Sequence, residues 1–189
     1  MQRILSILAL AVLLPTAAMA QHPQTRNGFG ISVGIGGSSA VVTCNGCEQF
    51  GGTGPSGYLR LGGYVSPSFF VAAESHGSWS TEAWQAGIGA ILGVVQWYQM
   101  VDKGIYLKGG LGYSEVQQGI NILDGTDFST SGLGISIGAG YDWRVARNFA
   151  LTAYVNYLTQ FGGTISESGR AGLDANVHVF QFGLGFTWF

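Results

Sequence analysis

Three residues in the sequence have the types and spacing of a hydrolytic site. His76 and Ser78 are two positions apart, and Glu74 precedes His76 by the same interval. Side chains two positions apart in an extended strand lie on one face, so all three would point the same way. A serine hydroxyl, an imidazole and a carboxylate can serve as nucleophile, general base and orienting group. Catalysis at these residues is therefore one hypothesis.

The two cysteines, Cys44 and Cys47, flank an Asn-Gly dipeptide that favours a tight turn. After export they would stand in an oxidising compartment, so the pattern predicts a disulfide between them. A redox pair needs a helix N-terminus or a nearby cation to activate a thiol, and no helix is predicted here. A zinc site would need further ligands, which this segment lacks. We predict no metal site and no cofactor.

A series of alternating segments would position these residues. Stretches of about ten residues, in which apolar side chains alternate with small or polar ones, are typical of membrane β-barrels. We predict strands at residues 27–38, 56–65, 69–80, 83–99, 104–116, 130–143, 149–160 and 176–189. The predicted fold is an all-β, eight-stranded antiparallel up-and-down transmembrane β-barrel.

The predicted connections alternate in length. Tight turns are predicted at Ser66-Pro67, Asp102-Lys103 and residues 144–148, and a short loop at Thr81-Glu82. Long loops rich in Gly, Ser, Thr and Asp are predicted at 39–55, 117–129 and 161–175. Barrels of this kind have short periplasmic turns and longer outer loops, and an even number of strands leaves both termini in the periplasm.

The two faces of the strands predict which side meets lipid. The apolar faces of the first, sixth and seventh strands begin with Phe29, Leu133 and Phe149, whereas the opposite faces hold mainly small and polar residues. Arg60, Glu74 and Lys108 lie on small-residue faces, the reverse of a soluble carrier, so the apolar faces are predicted to point outward. Aromatic girdles are predicted at Trp84, Tyr98, Tyr141, Trp143 and Tyr157. Tyr58, Tyr64, Tyr106 and Trp97 are predicted to fill the centre.

The charged residues predict a network inside the barrel. Arg60 and Glu74 are nearly equidistant from the turn at Ser66-Pro67, so they should lie opposite each other, and Lys108 could join them. Charges in a narrow interior must be paired, which favours a structural salt-bridge network. A polar path or gate is the alternative. His76 and Ser78 share this inward face, so a polar lumen also accounts for them without catalysis.

The ends of the chain and its composition limit the function classes. Residues 1–20 resemble a secretory signal peptide with small residues before a cleavage site, residues 21–26 are predicted as a periplasmic tail, and residues 27–189 as the barrel domain. Removing Arg3 takes the formal net charge from -2 to -3, which disfavours a nucleic-acid partner. A hydrophobic content of 47% disfavours disorder.

The span from Asn27 to Phe189 resembles the small bacterial outer-membrane barrels that include OmpX, Ail and the transmembrane domain of OmpA. The resemblance rests on the signal peptide, on residues 138–149 across a predicted periplasmic turn and on the chain end. It implies the outer membrane of a Gram-negative bacterium, a monomer, and lipid and lipopolysaccharide as neighbours. It also implies that the barrel-assembly machinery recognises the final residues Phe182, Leu184, Phe186, Trp188 and Phe189.

Three hypotheses about the function follow. The resemblance favours a non-enzymatic barrel whose loops serve envelope, adhesion or interaction roles, with an unknown extracellular partner. The His-x-Ser pair, in contrast, resembles the catalytic residues of outer-membrane phospholipases and lipid A deacylases, although those sites face lipid. A membrane-embedded lipid hydrolase and a narrow small-solute channel are therefore the alternatives.

Overall fold

A computed structural model describes residues 26–44, 50–80, 86–118, 128–167 and 170–189. Its strands are β1 Gly28–Cys44, β2 Phe50–Ser66, β3 Phe69–Trp79, β4 Ala86–Tyr98, β5 Ile105–Gln118, β6 Phe128–Ala146, β7 Phe149–Glu167 and β8 Arg170–Trp188. Each strand pairs antiparallel with the next, and β8 pairs with β1 to close a barrel. This confirms the predicted eight-stranded antiparallel barrel. Within these ranges, no helix is long and apolar enough to cross a membrane.

Short turns join the strands at one end of the barrel. Pro67 and Ser68 separate β2 from β3, and residues 99–104 join β4 to β5. The carbonyl of Ser68 accepts a hydrogen bond from the amide of Tyr98 at 2.8 Å, which ties the first turn to the end of β4. The turns predicted near 66–67 and 102–103 are confirmed. The third is shorter than predicted, because β6 continues through Arg144 and leaves residues 147–148 as the turn.

At the opposite end the strands are longer than the sequence pattern predicts. β1 continues to Cys44 and β2 begins at Phe50, so most of segment 39–55 is paired strand. β7 and β8 likewise occupy most of segment 161–175. The long loops predicted for these segments are wrong, because strand pairing uses backbone groups and does not require apolar side chains. Residues 119–127 of the remaining predicted loop lie outside the described residues.

Side chains alternate between an outer wall and the lumen. Large apolar side chains on the outer wall include Phe29, Val33, Ile35, Leu61, Val71, Leu133, Ile137, Val155, Phe182 and Leu184. The predicted outward apolar faces of β1, β6 and β7 are confirmed, and β8 also points its apolar face outward. Tyr58 and Tyr106 are buried in the lumen, as predicted.

The faces of β4 are the reverse of the sequence prediction. Trp97, expected inside, is 45% exposed on the outer wall, whereas Tyr98, expected in a girdle, is 1% exposed. The prediction is wrong because Gly87, Gly89 and Gly93 share the outer face with Trp97, so glycine does not mark the lumen side of this strand. The girdle residue Trp84 lies outside the described residues.

The interior is more apolar than the sequence predicts, and it is tightly filled. A buried apolar cluster runs through it and includes Val42, Leu92, Val94, Val116, Leu158, Val177 and Val179. Tyr58 and Tyr154 pack edge to face, with ring centroids 4.8 Å apart. A Cβ on Gly34 would lie 2.9 Å from Cε1 of Tyr154 and closer still to Tyr58. Glycine at this position is therefore needed to admit both rings.

Candidate functional site

The β2–β3 hairpin places Arg60 and Glu74 at paired positions. The short turn sets the register of the hairpin, and Arg60 is the direct partner of Glu74. Both side chains point into the lumen, where they are 2% and 1% exposed. Arg60 binds Oε2 of Glu74 through both Nε and a terminal nitrogen of its guanidinium. Both contacts are charge-assisted and hold this one oxygen of the carboxylate.

The other carboxylate oxygen of Glu74 is also occupied. Lys108 of β5 donates to Oε1 from Nζ at 2.5 Å, and Nε2 of His76 lies 2.5 Å from the same oxygen. The structure therefore brings Arg60, Glu74 and Lys108 together, with His76 as a fourth member. We call these four residues the Glu74 cluster. One carboxylate faces the cationic side chains of Arg60 and Lys108 here, so its removal would leave both of them without their counter-ion.

Gln96 and two tyrosines complete the surroundings of Arg60. Nη1 of Arg60 donates to Oε1 of Gln96 at 2.9 Å. The guanidinium lies 4.7 Å from the ring centroid of Tyr58 and 6.0 Å from that of Tyr106. Gln96 was not identified from the sequence. It is a polar residue within the apolar β4 segment, and this could have indicated which face of β4 points into the lumen.

A second polar network lies nearer the periplasmic turns. Asp142 accepts hydrogen bonds from the hydroxyl of Tyr98 at 2.8 Å and from that of Thr152 at 2.7 Å. Thr152 is linked through Thr187 to Ser32, whose hydroxyl lies 2.9 Å from that of Tyr58. This chain of hydroxyl groups connects Asp142 to the tyrosine that stacks on Arg60. None of its members was identified as a site residue from the sequence.

Arg26 closes the lumen at its periplasmic mouth. Its guanidinium donates to the carbonyl oxygens of Val101 at 3.2 Å and Lys103 at 2.7 Å, and it lies 3.7 Å from the centroid of the Tyr98 ring. The residue is fully buried. The sequence places Arg26 in a tail ahead of the barrel, but its side chain is part of the barrel interior. A tail residue gives no periodic signal from which this position could have been found.

Of the three catalytic candidates, His76 contacts Glu74 but does not contact Ser78. His76 binds Glu74, whereas the hydroxyl of Ser78 lies 2.5 Å from that of Ser38 on β1. Both side chains are buried on the lumen side. The structure thus provides a histidine and carboxylate contact, but no hydrogen bond from the histidine to the serine nucleophile. Among the described residues, no group of three His, Cys, Asp or Glu side chains could hold a metal ion.

The side chains at the end of the chain do not all lie on the same face of the barrel wall. Phe182, Leu184, Phe186 and Trp188 all point outward, while the amide of Phe189 donates to the carbonyl of Asn148 at 3.2 Å. The Phe189 ring lies beneath the guanidinium of Arg144, with 4.5 Å from Cζ to the ring centroid. Cys47 and residues 1–25 lie outside the described residues, so the disulfide with Cys44 and the signal peptide stay predictions.

A comparison with protein families identifies the barrel. The profile of the outer membrane protein beta-barrel domain matches residues 6–187, nearly the whole chain. The chain belongs to this family. It is an outer-membrane β-barrel, and its apolar outer wall therefore faces lipid.

Solved outer-membrane barrels share the fold. The neisserial surface protein NspA is 14% identical with a TM-score of 0.62, and the match covers 87% of this chain and 98% of NspA. Ail, the attachment invasion locus protein of Yersinia pestis, is 15% identical with a TM-score of 0.53, over 87% of this chain and all of Ail. Such identities show the architecture alone. A sequence search among curated proteins finds no match.

Proposed function

We propose that this outer-membrane barrel is a non-enzymatic protein with a closed lumen. It acts through the segments that join its strands at the extracellular end. The observation that carries the proposal is the use of both oxygens of the buried Glu74 carboxylate by Arg60, Lys108 and His76. A carboxylate held in this way supports the barrel from within. Because both of its oxygens are occupied, it is not available to a substrate.

Three zones of packed side chains support a closed lumen. Apolar residues such as Val42 and Val116 fill the part near the outer strand ends, and the Glu74 cluster fills the middle. Arg26, Tyr98 and Asp142 occupy the periplasmic mouth. An eight-stranded barrel is just wide enough for its own side chains, so these zones leave little room for a solute path.

The position of His76 and Ser78 argues against a lipid hydrolase. An enzyme that cleaves membrane lipids must present its nucleophile to the lipid, but both residues face the packed interior. The proposal is tested by incubating the folded barrel with phospholipid and with lipid A and assaying released fatty acid. We expect none. Release that is lost in both His76→Ala and Ser78→Ala would establish the hydrolase instead.

The outer segments give the chemistry of a surface partner. The four connections outside the described residues carry Glu48, Glu82, Asp124 and Asp127 and no lysine or arginine. A solved structure of Ail contains the heparin analogue sucrose octasulfate. The acidic segments of this barrel would repel such a sulfated ligand, so we propose a cationic or neutral partner. Binding of whole protein to heparin at physiological salt would contradict this.

The outward apolar series of β8 supports a role in barrel assembly. Phe182, Leu184, Phe186 and Trp188 form a continuous lipid-facing row, in which Trp188 is the last aromatic. We therefore propose Trp188 and not Phe189 as the terminal aromatic that the assembly machinery recognises. Trp188→Ala should slow assembly in vivo more than Phe189→Ala, and the reverse order would exclude this assignment.

A further inference from the structure

A furrow of glycines crosses the lipid-facing wall. Gly57 of β2, Gly77 of β3 and Gly89 of β4 are successive register partners, so three neighbouring strands lack an outward side chain along one row. The row continues to Glu115 on β5 at one end and to Ile35 on β1 at the other. We call this row the glycine furrow.

Two cavities lie along the furrow. One, of about 550 Å³, is lined by Gly77, Gly89 and Glu115, and the other, of about 1040 Å³, by Ile35, Phe182 and Leu184. Both are also lined by Gly57, by Trp79 and by Tyr58 of the lumen side, since the glycines leave the wall only one backbone thick. A Cβ on Gly77 would lie 3.0 Å from the Trp79 ring, so this ring leans over the furrow.

The furrow is inclined to the membrane, with its polar end near the outer face. Glu115 lies ten residues from the periplasmic start of β5 at Ile105 and three from its outer end. Leu184, the register partner of Ile35, lies only four residues from the periplasmic end of β8 at Trp188. The furrow therefore runs from a carboxylate near the outer face of the membrane to an apolar end deeper in the membrane. The acyl chain of a lipid in the outer leaflet has the same orientation relative to its polar group.

The polar end selects the kind of lipid. Gln117 donates to Oε1 of Glu115 at 2.8 Å, so a carboxylate and an amide face outward together. A carboxylate accepts hydrogen bonds from hydroxyl or amide groups. The amide-linked hydroxyacyl chains of lipopolysaccharide carry such donors next to the hydrocarbon. The ester-linked chains of phospholipids do not.

The length of the furrow suits one acyl chain. Four strand spacings separate Glu115 on β5 from Ile35 on β1, which is about 19 Å at about 4.8 Å per spacing. One leaflet of hydrocarbon is about 15 Å thick. The furrow is also continuous with the apolar wall that already contacts lipid, and hydrocarbon is the surrounding medium.

We propose that the glycine furrow binds one acyl chain of lipopolysaccharide, with the amide or hydroxyl of that chain donating to Glu115. The furrow lies on the lipid-facing wall and does not include the outer segments. Two buried lumen residues also line its cavities, Tyr58 in both and His76 in the smaller one. The site depends on the membrane position of the barrel and does not depend on whether the lumen is closed. Failure of this site and failure of the proposed function would therefore be seen in different measurements.

Two glycines allow a matched test. A Cβ on Gly89, inside the furrow, and one on Gly109, on the outer wall of β5, would each meet nothing within 4 Å. Leucine should therefore be tolerated at both positions, but only Gly89→Leu fills the furrow. Folding of each variant is checked by its heat-modifiable gel shift.

The experiment measures retention of purified lipid A by the folded barrel in detergent, using native mass spectrometry. Gly89→Leu and Glu115→Gln should each weaken binding about tenfold, a change expected from a few lost contacts or one hydrogen bond. Gly109→Leu should bind like the parent protein, and phosphatidylethanolamine should be retained less than lipid A. The proposal is overturned if the parent retains no lipid A, if the two leucine variants bind equally, or if phosphatidylethanolamine binds as well.

A fluorescence measurement tests where the lipid binds. Replacing Trp84, Trp97, Trp143 and Trp188 with Phe leaves Trp79 as the one tryptophan. Its emission should shift on addition of lipid A, and this shift should be absent when Gly89→Leu is added to the same background. A shift that survives Gly89→Leu would place the lipid elsewhere.

Discussion

Arg60 and Glu74 are register partners across the β2–β3 hairpin, and the carboxylate of Glu74 is shared with Lys108. The position of one carboxylate between two cations makes the Glu74 cluster sensitive to loss of charge balance. Removing the anion is more harmful than removing the whole set, because the cations would then remain buried without a partner.

Glu74→Gln should therefore reduce the free energy of unfolding by about 3 to 5 kcal/mol, or less if water reaches the cations. Urea unfolding in lipid vesicles, followed by tryptophan fluorescence, measures this loss. Glu115→Gln makes the same chemical change on the outer wall and should alter stability little. Equal effects of the two substitutions would contradict a buried network.

Charge balance can be restored by further substitutions. Adding Arg60→Gln to Glu74→Gln should recover part of the lost stability, and adding Lys108→Gln should recover more, since each step removes an unpaired cation. The same unfolding measurement applies. Strictly additive losses across the series would show that the residues do not act as one network.

The reversed faces of β4 can be tested with two conservative substitutions. Tyr98→Phe removes the hydroxyl that donates to Asp142 and should cost about 1 to 3 kcal/mol, because a buried acceptor loses a partner. Trp97→Phe changes a lipid-facing ring and should have a smaller effect. Brominated lipid should quench the emission of Trp97 in a single-tryptophan variant, and failure to quench it would place Trp97 inside.

Arg26 should stabilise the turn that joins β4 to β5. Arg26→Ala leaves the carbonyls of Val101 and Lys103 without this donor, so amide hydrogen exchange across residues 99–104 should become faster. Exchange in the outer half of β5 serves as the internal control and should not change. Unchanged exchange in the turn would mean that Arg26 does not secure it.

The disulfide prediction concerns Cys44 and Cys47. Mass spectrometry of the exported protein without reductant should find the two joined. Cys47→Ser should barely change the free energy of unfolding, because closing so short a loop removes little entropy from the unfolded chain. Free thiols in the exported protein would refute the prediction.

Particular residues show what the sequence could predict. The opposition of Arg60 and Glu74 was predictable because a tight turn sets the register of its two flanking strands. The approach of Lys108 was a weaker expectation, since β5 lies two strands from β3 and its distance across the lumen depends on barrel closure. Gln96 and Tyr98 were missed because glycines on the outer face of β4 gave the wrong orientation.

Two further features could not be predicted from the sequence for a different reason. Gly57, Gly77 and Gly89 lie in three separate strands, and only the register brings them into one row. Arg26 precedes the first strand, where no alternation predicts the direction of a side chain. Both depend on contacts between distant segments and not on local pattern.

The central claim, a lumen closed around Glu74, is tested most directly by single-channel conductance in planar bilayers. The parent barrel should show no steady conductance, and Glu115→Gln should behave the same way. A triple variant with Ala at Arg60, Glu74 and Lys108, if it retains its heat-modifiable fold, should leak through the space that those side chains filled. A steady unitary current through the parent barrel, altered in Lys108→Glu, would contradict the account and identify a channel.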